Sequence, residues 1–465
     1  MTPAIATQIP FRSFAKTGKR AAATSRRIDW IVIALLVVHV PLSLLISTSI
    51  AVATIHAVLT VGIGFLLALQ SRRHPERVAY VGAYVVGAEV LWRMTGAQVF
   101  WETGKYAIAA FFIIGLVLIR HRKVPAGALL YFALLLPSTL ITVLSTSDFT
   151  QLHKALSFHL SGPFALAAAW CFFSQLQLSP HQLRRILLSV ICPTVGVACV
   201  ALAGTVSATR LSFTTESNFV TSGGFGPNQV AGALGLGALC ALIWLVSHKE
   251  GWINRVVILG VLVLLTFQAA LTFSRGGLYN AAGASAVAIF YLMRNRGSRT
   301  RVIMAVSMIA LLAGLVIIPS LEDITGGTIS QRFSSIDVAH RDAIVRSDLV
   351  LWQEEPILGV GLGMSGRGRR LPHTEGTRLL AEHGMFGLAA ILALLIGALR
   401  SIRKARTPAG KAVAGSMVTF SLLFMLDKAM RLAAPSFAFG LAFAVLLPDQ
   451  PALPRARRRI KRGSF

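Results

Sequence analysis

Apolar runs of about 20 residues recur along this chain, from WIVIALLVVHVPLSLLIST near its start to GSMVTFSLLFMLD near its end. In lipid every backbone polar group needs an internal partner, which leaves helices and closed barrels. A barrel would read as short alternating segments, whereas these runs are long and unbroken. The expected fold class is therefore all-α, a polytopic membrane bundle of about 12–14 transmembrane helices. The chain is 55% hydrophobic, above the roughly 45–50% of soluble domains.

About fourteen candidate spans can be marked out. Eleven fall within a first part of the bundle, 29–319, and three within a second, 384–448, the fourth span lying at 105–119 and the last at 435–448. A basic tail precedes them (1–28), another follows (449–465), and a large loop separates the two parts (320–383). The net charge of +27 is a matter of topology. Alternate connections and the two tails hold 31 of the 45 Lys and Arg residues. Cytoplasmic loops carry that excess, so both termini are expected in the cytoplasm of a multi-pass membrane protein. The basic residues are spread between spans, with no basic domain long enough to fold alone, so nucleic acid is not expected as a partner. Cys171, Cys192, Cys199 and Cys240 all fall inside apolar spans, unsuited to a disulfide or a metal.

The outward face carries the polar residues. Its loop at 320–383 is too long for a connector and too short for a separate domain. HRDAIVRSDLVLWQEEP reads as one helix ended by Pro356, ILGVGLGMSGRG as a flexible turn, and TEGTRLLAEHG as a second helix from about Thr374, with Gly384 as a break. His373 stands just before that second helix, whose positive end disfavours imidazolium. It is expected to be neutral, available as a base or as a simple cap. The loop also holds Arg332, Arg341, Arg346, Arg367, Arg369, Arg370 and Arg378, against the charge bias, with Arg210 and Arg275 elsewhere on the same side. Arg275, in SRGG, suits an anion held by a planar guanidinium, Gly276 and Gly277 letting it approach the backbone; the alternative is an arginine snorkelling to headgroups. Asn228 and Gln229, after Pro227, suit sugar hydroxyls or a helix cap. Glu89 and Arg93, four apart, are expected to neutralise one another, and Asp427, Lys428 and Arg431 to form an interfacial cluster. No metal-binding signature is present in the sequence, and neither a metal nor a cofactor is expected.

His373 and Thr374, followed after nine residues by Gly384 and Gly387, resemble the signature of the O-antigen ligase and O-antigen polymerase superfamily, which usually has Asn, Ser or Gln at the second position. SRGG at 274–277, EEPILGVGLG at 354–363 and GGFGPNQVAG at 223–232 are similar to further elements of that family, in the same order, between about 210 and 390. The resemblance implies a metal-independent, inverting glycosyltransferase of surface-polysaccharide assembly. Its donor would be an undecaprenyl-diphosphate-linked glycan on the periplasmic face. Its acceptor would be the hydroxyl of another glycan, of lipid A-core or of another molecule, with a polymerase favoured over a ligase. His373 would be the base. Arg275, with Arg210 and Arg346, would bind the diphosphate and stabilise the leaving charge. A lipid-linked oligosaccharide flippase and a non-catalytic polysaccharide-binding membrane protein are the competing expectations.

Overall fold

The computed structural model describes residues 29–120, 123–209, 211–247, 251–334, 339–366 and 374–448, without the side chains of 339–341. The chain runs α1 (Trp30–Thr48), α2 (Ile50–Leu69), α3 (Pro75–Met94), α4 (Thr103–Leu118), α5 (Ala126–Ala133), α6 (Leu136–Ser145), α7 (Phe149–Phe173), β1 (Gln177–Leu178) and α8 (Pro180–Val206). It continues through α9 (Pro227–Ser247), α10 (Trp252–Leu271), α11 (Arg275–Met293), α12 (Arg296–Leu312), α13 (Ile318–Thr325), α14 (Thr328–Ser334), α15 (Ala339–Glu354), α16 (Glu375–Lys404), α17 (Pro408–Asp427), α18 (Ala434–Leu441) and β2 (Val445–Leu446). The architecture is the expected all-α bundle. Among the described residues, eleven helical segments are long and apolar enough to cross a membrane, which makes this a multi-pass design.

Three of the fourteen expected spans fall outside that set. Helix α3 carries Glu76, Arg77, Glu89 and Arg93 and is mostly buried, so it behaves as a polar core helix. Helix α4 has 16 residues, somewhat short of a full crossing. The expected span at 435–448 is an eight-residue helix, α18. The chain then turns and pairs β2 with β1 in parallel, Gln177 opposite Val445 and Leu178 opposite Leu446. Helix α7 is long, 25 residues, because Asp148 caps it well ahead of its apolar stretch, accepting from the Thr150 and Gln151 N–H groups.

Burial separates the helices by role. In an 18-residue stretch of α9, 94% of the residues are buried, whereas in a stretch of the same length within the run from α12 through a π-helical segment, Ala313–Ile317, into α13 the share is 17%. Both stretches are apolar, so the first is the bundle's core and the second belongs to its rim. Small residues bring α9 against α11. A Cβ at Gly277 would strike the backbone of Ala231, and one at Gly235 the Gly277 carbonyl. Close approach of this kind is what holds helices together where lipid is as apolar as leucine.

Candidate functional site: two interlocked motif pairs around a buried ionic centre

Helix α16 breaks at Gly384, whose backbone (φ 57°, ψ −134°) is not helical. A regular helix would bond the Met385 N–H to the Ala381 carbonyl and the Phe386 N–H to that of Glu382. Instead the turn after α15 supplies replacements. The Val360 N–H donates to Ala381 O (2.9 Å) and Gly361 N–H to Glu382 O (3.2 Å), while Met385 N–H donates to Pro356 O (2.8 Å). The expected flexible turn is thus a docked one. Two glycines permit the docking. A Cβ on Gly384 would lie 2.6 Å from the Ile357 carbonyl oxygen, and one on Gly359 (φ +72°) would strike the Glu382 carbonyl. Both positions need glycine for space and for φ. The Pro-x-x-Gly-x-Gly turn and the helix carrying Gly384 and Gly387 therefore form one interlocked unit.

The other two motifs form a second unit. Ser274, ahead of α11, donates its hydroxyl to Asn228 Oδ1 at the head of α9 (2.7 Å). Phe273, just before it, is buried with φ +55°, a strained conformation for a bulky residue. It is held there by Arg332, which donates to Phe273 O (3.1 Å) and to Thr215 O (2.5 Å), and by stacking on Phe213. Arg275 is half-buried and donates to Arg332 O (3.3 Å). Its neighbours do not open the backbone as expected. The Asp427 carboxylate fills the space beside Gly276, and Ala231 that beside Gly277. Packing between helices explains both glycines.

The short turn between α17 and α18 ties the two units together. Lys428 Nζ bonds Asp427 Oδ2 (3.1 Å) and donates to Asn228 O (2.9 Å). The Met430 N–H donates to Glu375 (3.2 Å) and Ala433 N–H to Glu89 (2.7 Å). Arg431 O accepts from Arg93 (3.0 Å), which also bonds Glu89, Trp101 O and Gln229 Oε1. Glu89 and Arg93 thus neutralise one another as expected. The cluster expected at the interface is instead mostly inside, with Lys428 buried and Asp427 and Arg431 half-buried. Asn228 and Gln229 spend their side-chain oxygens on Ser274 and Arg93.

Around this turn lies a buried ionic centre. Arg378 is flanked on its own helix by Glu375 and by Glu382 (2.6 Å), and all three are almost wholly buried. Ser365, in the docked turn, donates to Glu382 (2.7 Å), and His159 of α7 lies 3.3 Å from Arg378 through Nδ1. The same Nδ1 lies 3.7 Å from a Glu382 oxygen, so the imidazole adjoins both members of the pair. Lys105 of α4 is fully buried, and its ammonium has no hydrogen-bond partner among the described residues. On the outer side of α16, Thr377 donates to the buried Asp348 of α15 (2.6 Å), and burial raises the Asp348 carboxyl above its ordinary value.

His373, Arg210, Arg367, Arg369 and Arg370 lie outside the described residues, as does the side chain of Arg341. Thr374, the residue after His373, is the N-cap of α16, accepting from Thr377 N–H, so the expected helix start is correct. Arg346 is exposed on α15, which packs on α16. Arg378, counted among the loop cations, is occupied by two carboxylates. Sequence reasoning passed over His159 and Lys105. Nothing marks His159 in one dimension, but a lysine as the third residue of an otherwise uncharged, mostly apolar helix was a visible signal for Lys105. Neither a protein-family model nor a curated protein sequence matches this chain.

Proposed function

We propose that the chain is a metal-independent, inverting glycosyltransferase of the inner membrane, moving a glycan from undecaprenyl diphosphate to an acceptor hydroxyl on the periplasmic face, with a polymerase favoured over a lipid A-core ligase. The observation that supports this reading is the interlock of the Pro356–Gly363 turn with the Gly384 break. These are two of the motifs on which the resemblance rests, and they are far apart in kind, one a loop and one a helix. In this scheme His373 takes the proton of the acceptor hydroxyl as its oxygen attacks the anomeric carbon. The bond from that carbon to the diphosphate breaks, and undecaprenyl diphosphate leaves with the electron pair. Arg275, with Arg210 and Arg346, stabilises the charge on the departing diphosphate, a purely electrostatic contribution.

The test uses purified protein in detergent, an undecaprenyl-diphosphate-linked oligosaccharide and the His373→Ala variant in parallel. A ladder of longer lipid-linked products, absent from the variant, is the expected result. Equal turnover in the variant would remove His373 as the base. A flippase stays in view for one specific reason: Arg93, Arg378, Lys105 and Lys428 are cations inside the bundle, as a translocation path requires. Lipid-linked glycan crossing liposomes that contain the protein, with no new glycosidic bond, would favour it.

A further inference from the structure

A cavity of about 640 Å³ opens beside the ionic centre, between the start of α7, the turn before α4 and the docked turn at Gly363 and Met364. Its size is that of a small-ligand site. One face of α7 supplies Gln151, Lys154 and Phe158 at helical spacing, with His153 and His159 adjoining, and Trp101 faces them. We propose that this cavity binds a saccharide segment bearing a carboxylate, as in a uronic-acid-containing glycan. The assignment of a saccharide rests on the glycosyltransferase reading. The sign of its charge rests on the cavity alone.

Trp101 and Phe158 provide aromatic faces, onto which the C–H face of a pyranose packs while its hydroxyls reach polar groups at the rim. The Arg93 guanidinium covers the Trp101 ring at 4.5 Å from its centroid. That contact fixes the indole, which is still 45% exposed. The polar lining is rich in donors. The Nε2 atom of His159 lies beside Gly363, where a Cβ would sit 3.3 Å away. Gly363 thus leaves that ring nitrogen uncovered on the cavity side. Lys154 and His153 are exposed at the mouth, and Glu102 is the one acidic group in the lining.

Lys105 is the second, independent observation. Its ammonium is fully buried, without a hydrogen-bond partner among the described residues, and lies 5.8 Å from the centroid of the Phe158 ring. Phe158 also lines the cavity. A buried cation is costly unless opposite charge and hydrogen bonds offset it. The Glu89, Glu102 and Glu375 carboxylates act on Lys105 without a hydrogen bond to it, and a ligand carboxylate at the positive edge of Phe158 adds to them.

The test is equilibrium binding of trigalacturonate, with maltotriose as the uncharged comparison, to full-length protein in detergent, by calorimetry and with no lipid donor present. Saturable binding of trigalacturonate, at least tenfold tighter than maltotriose, is the expected result. Lys154→Gln, at an exposed position, should erase most of that preference, and Trp101→Ala should weaken both sugars. Trp101→Phe keeps an aromatic face and guards against a folding defect. Equal affinity for the two sugars, no saturable binding of either, or unchanged binding in both Lys154→Gln and Trp101→Ala would overturn the proposal. No turnover is involved, so failure to form a product ladder counts against the glycosyltransferase reading and leaves this result standing.

Discussion

Arg378 and Lys105 are both buried cations, but the structure surrounds them differently. Arg378 lies between Glu375 and Glu382, three and four residues away on its own helix, with His159 Nδ1 3.3 Å from its guanidinium. Lys105 has no such partner among the described residues. The first is a closed hydrogen-bonded unit, one guanidinium between two carboxylates, that α16 carries into the bundle by itself. The second feels the Glu89, Glu102 and Glu375 carboxylates but forms no hydrogen bond among the described residues. An arginine in a pattern such as Glu-x-x-Arg-x-x-x-Glu therefore argues for architecture, and a buried lysine without a hydrogen bond argues for a ligand.

The largest effect should come from breaking the closed unit. Arg378→Met leaves two buried carboxylates facing each other and should cost about 3–5 kcal/mol, read as a large fall in thermal stability in detergent. A tolerated Arg378→Met would mean that the carboxylates readily take up protons and that the unit is not structural. Next is the interlock. Gly384→Ala puts a Cβ against the Ile357 carbonyl at a positive φ and should cost about 1–3 kcal/mol, with the docked turn released to limited proteolysis. Unchanged stability and protection would show that the turn does not depend on the break. Arg275→Lys should leave stability within about 1 kcal/mol of wild type, since Arg275 is half-buried and a point charge replaces it. Transfer should fall, because lysine cannot reproduce a planar fork; full transfer would make Arg275 a packing residue only.

The smallest effect concerns Asp348, whose carboxyl burial raises above its ordinary value of 3.8. Its contribution is fully present below that value and is lost as pH rises through the higher folded value. Asp348→Asn keeps an acceptor for Thr377 and removes the cost of ionisation. The variant should therefore gain stability relative to wild type as pH rises from about 4 to 7. A constant difference across that range would show that Asp348 does not titrate differently on folding.

Much of the bundle was legible in the sequence because lipid imposes a simple length rule. The long apolar helices, the Thr374 start of α16 and the break at Gly384 all follow from local signals. The last expected span failed because hydropathy does not register a chain that turns to pair a two-residue strand with residues 177–178. The site was legible only in part. Asn228, Ser274, Glu375 and Met430 are brought together by the turn after α17, and no local pattern announces such convergence. Arg378 was misread as a loop cation because its neighbours in sequence were not weighed as partners. Gly276 and Gly277 were misread because a glycine beside an arginine suits an anion and a packed helix equally well.

The contrast between the two cations is tested most directly by thermal unfolding of Lys105→Met, with and without saturating trigalacturonate. Removing a buried charge that no hydrogen bond satisfies should leave the unliganded protein as stable as wild type or more so, while the stabilisation that the sugar confers on wild type disappears. A variant that melts early in the manner expected of Arg378→Met, or that keeps the full sugar-dependent shift, would contradict the account.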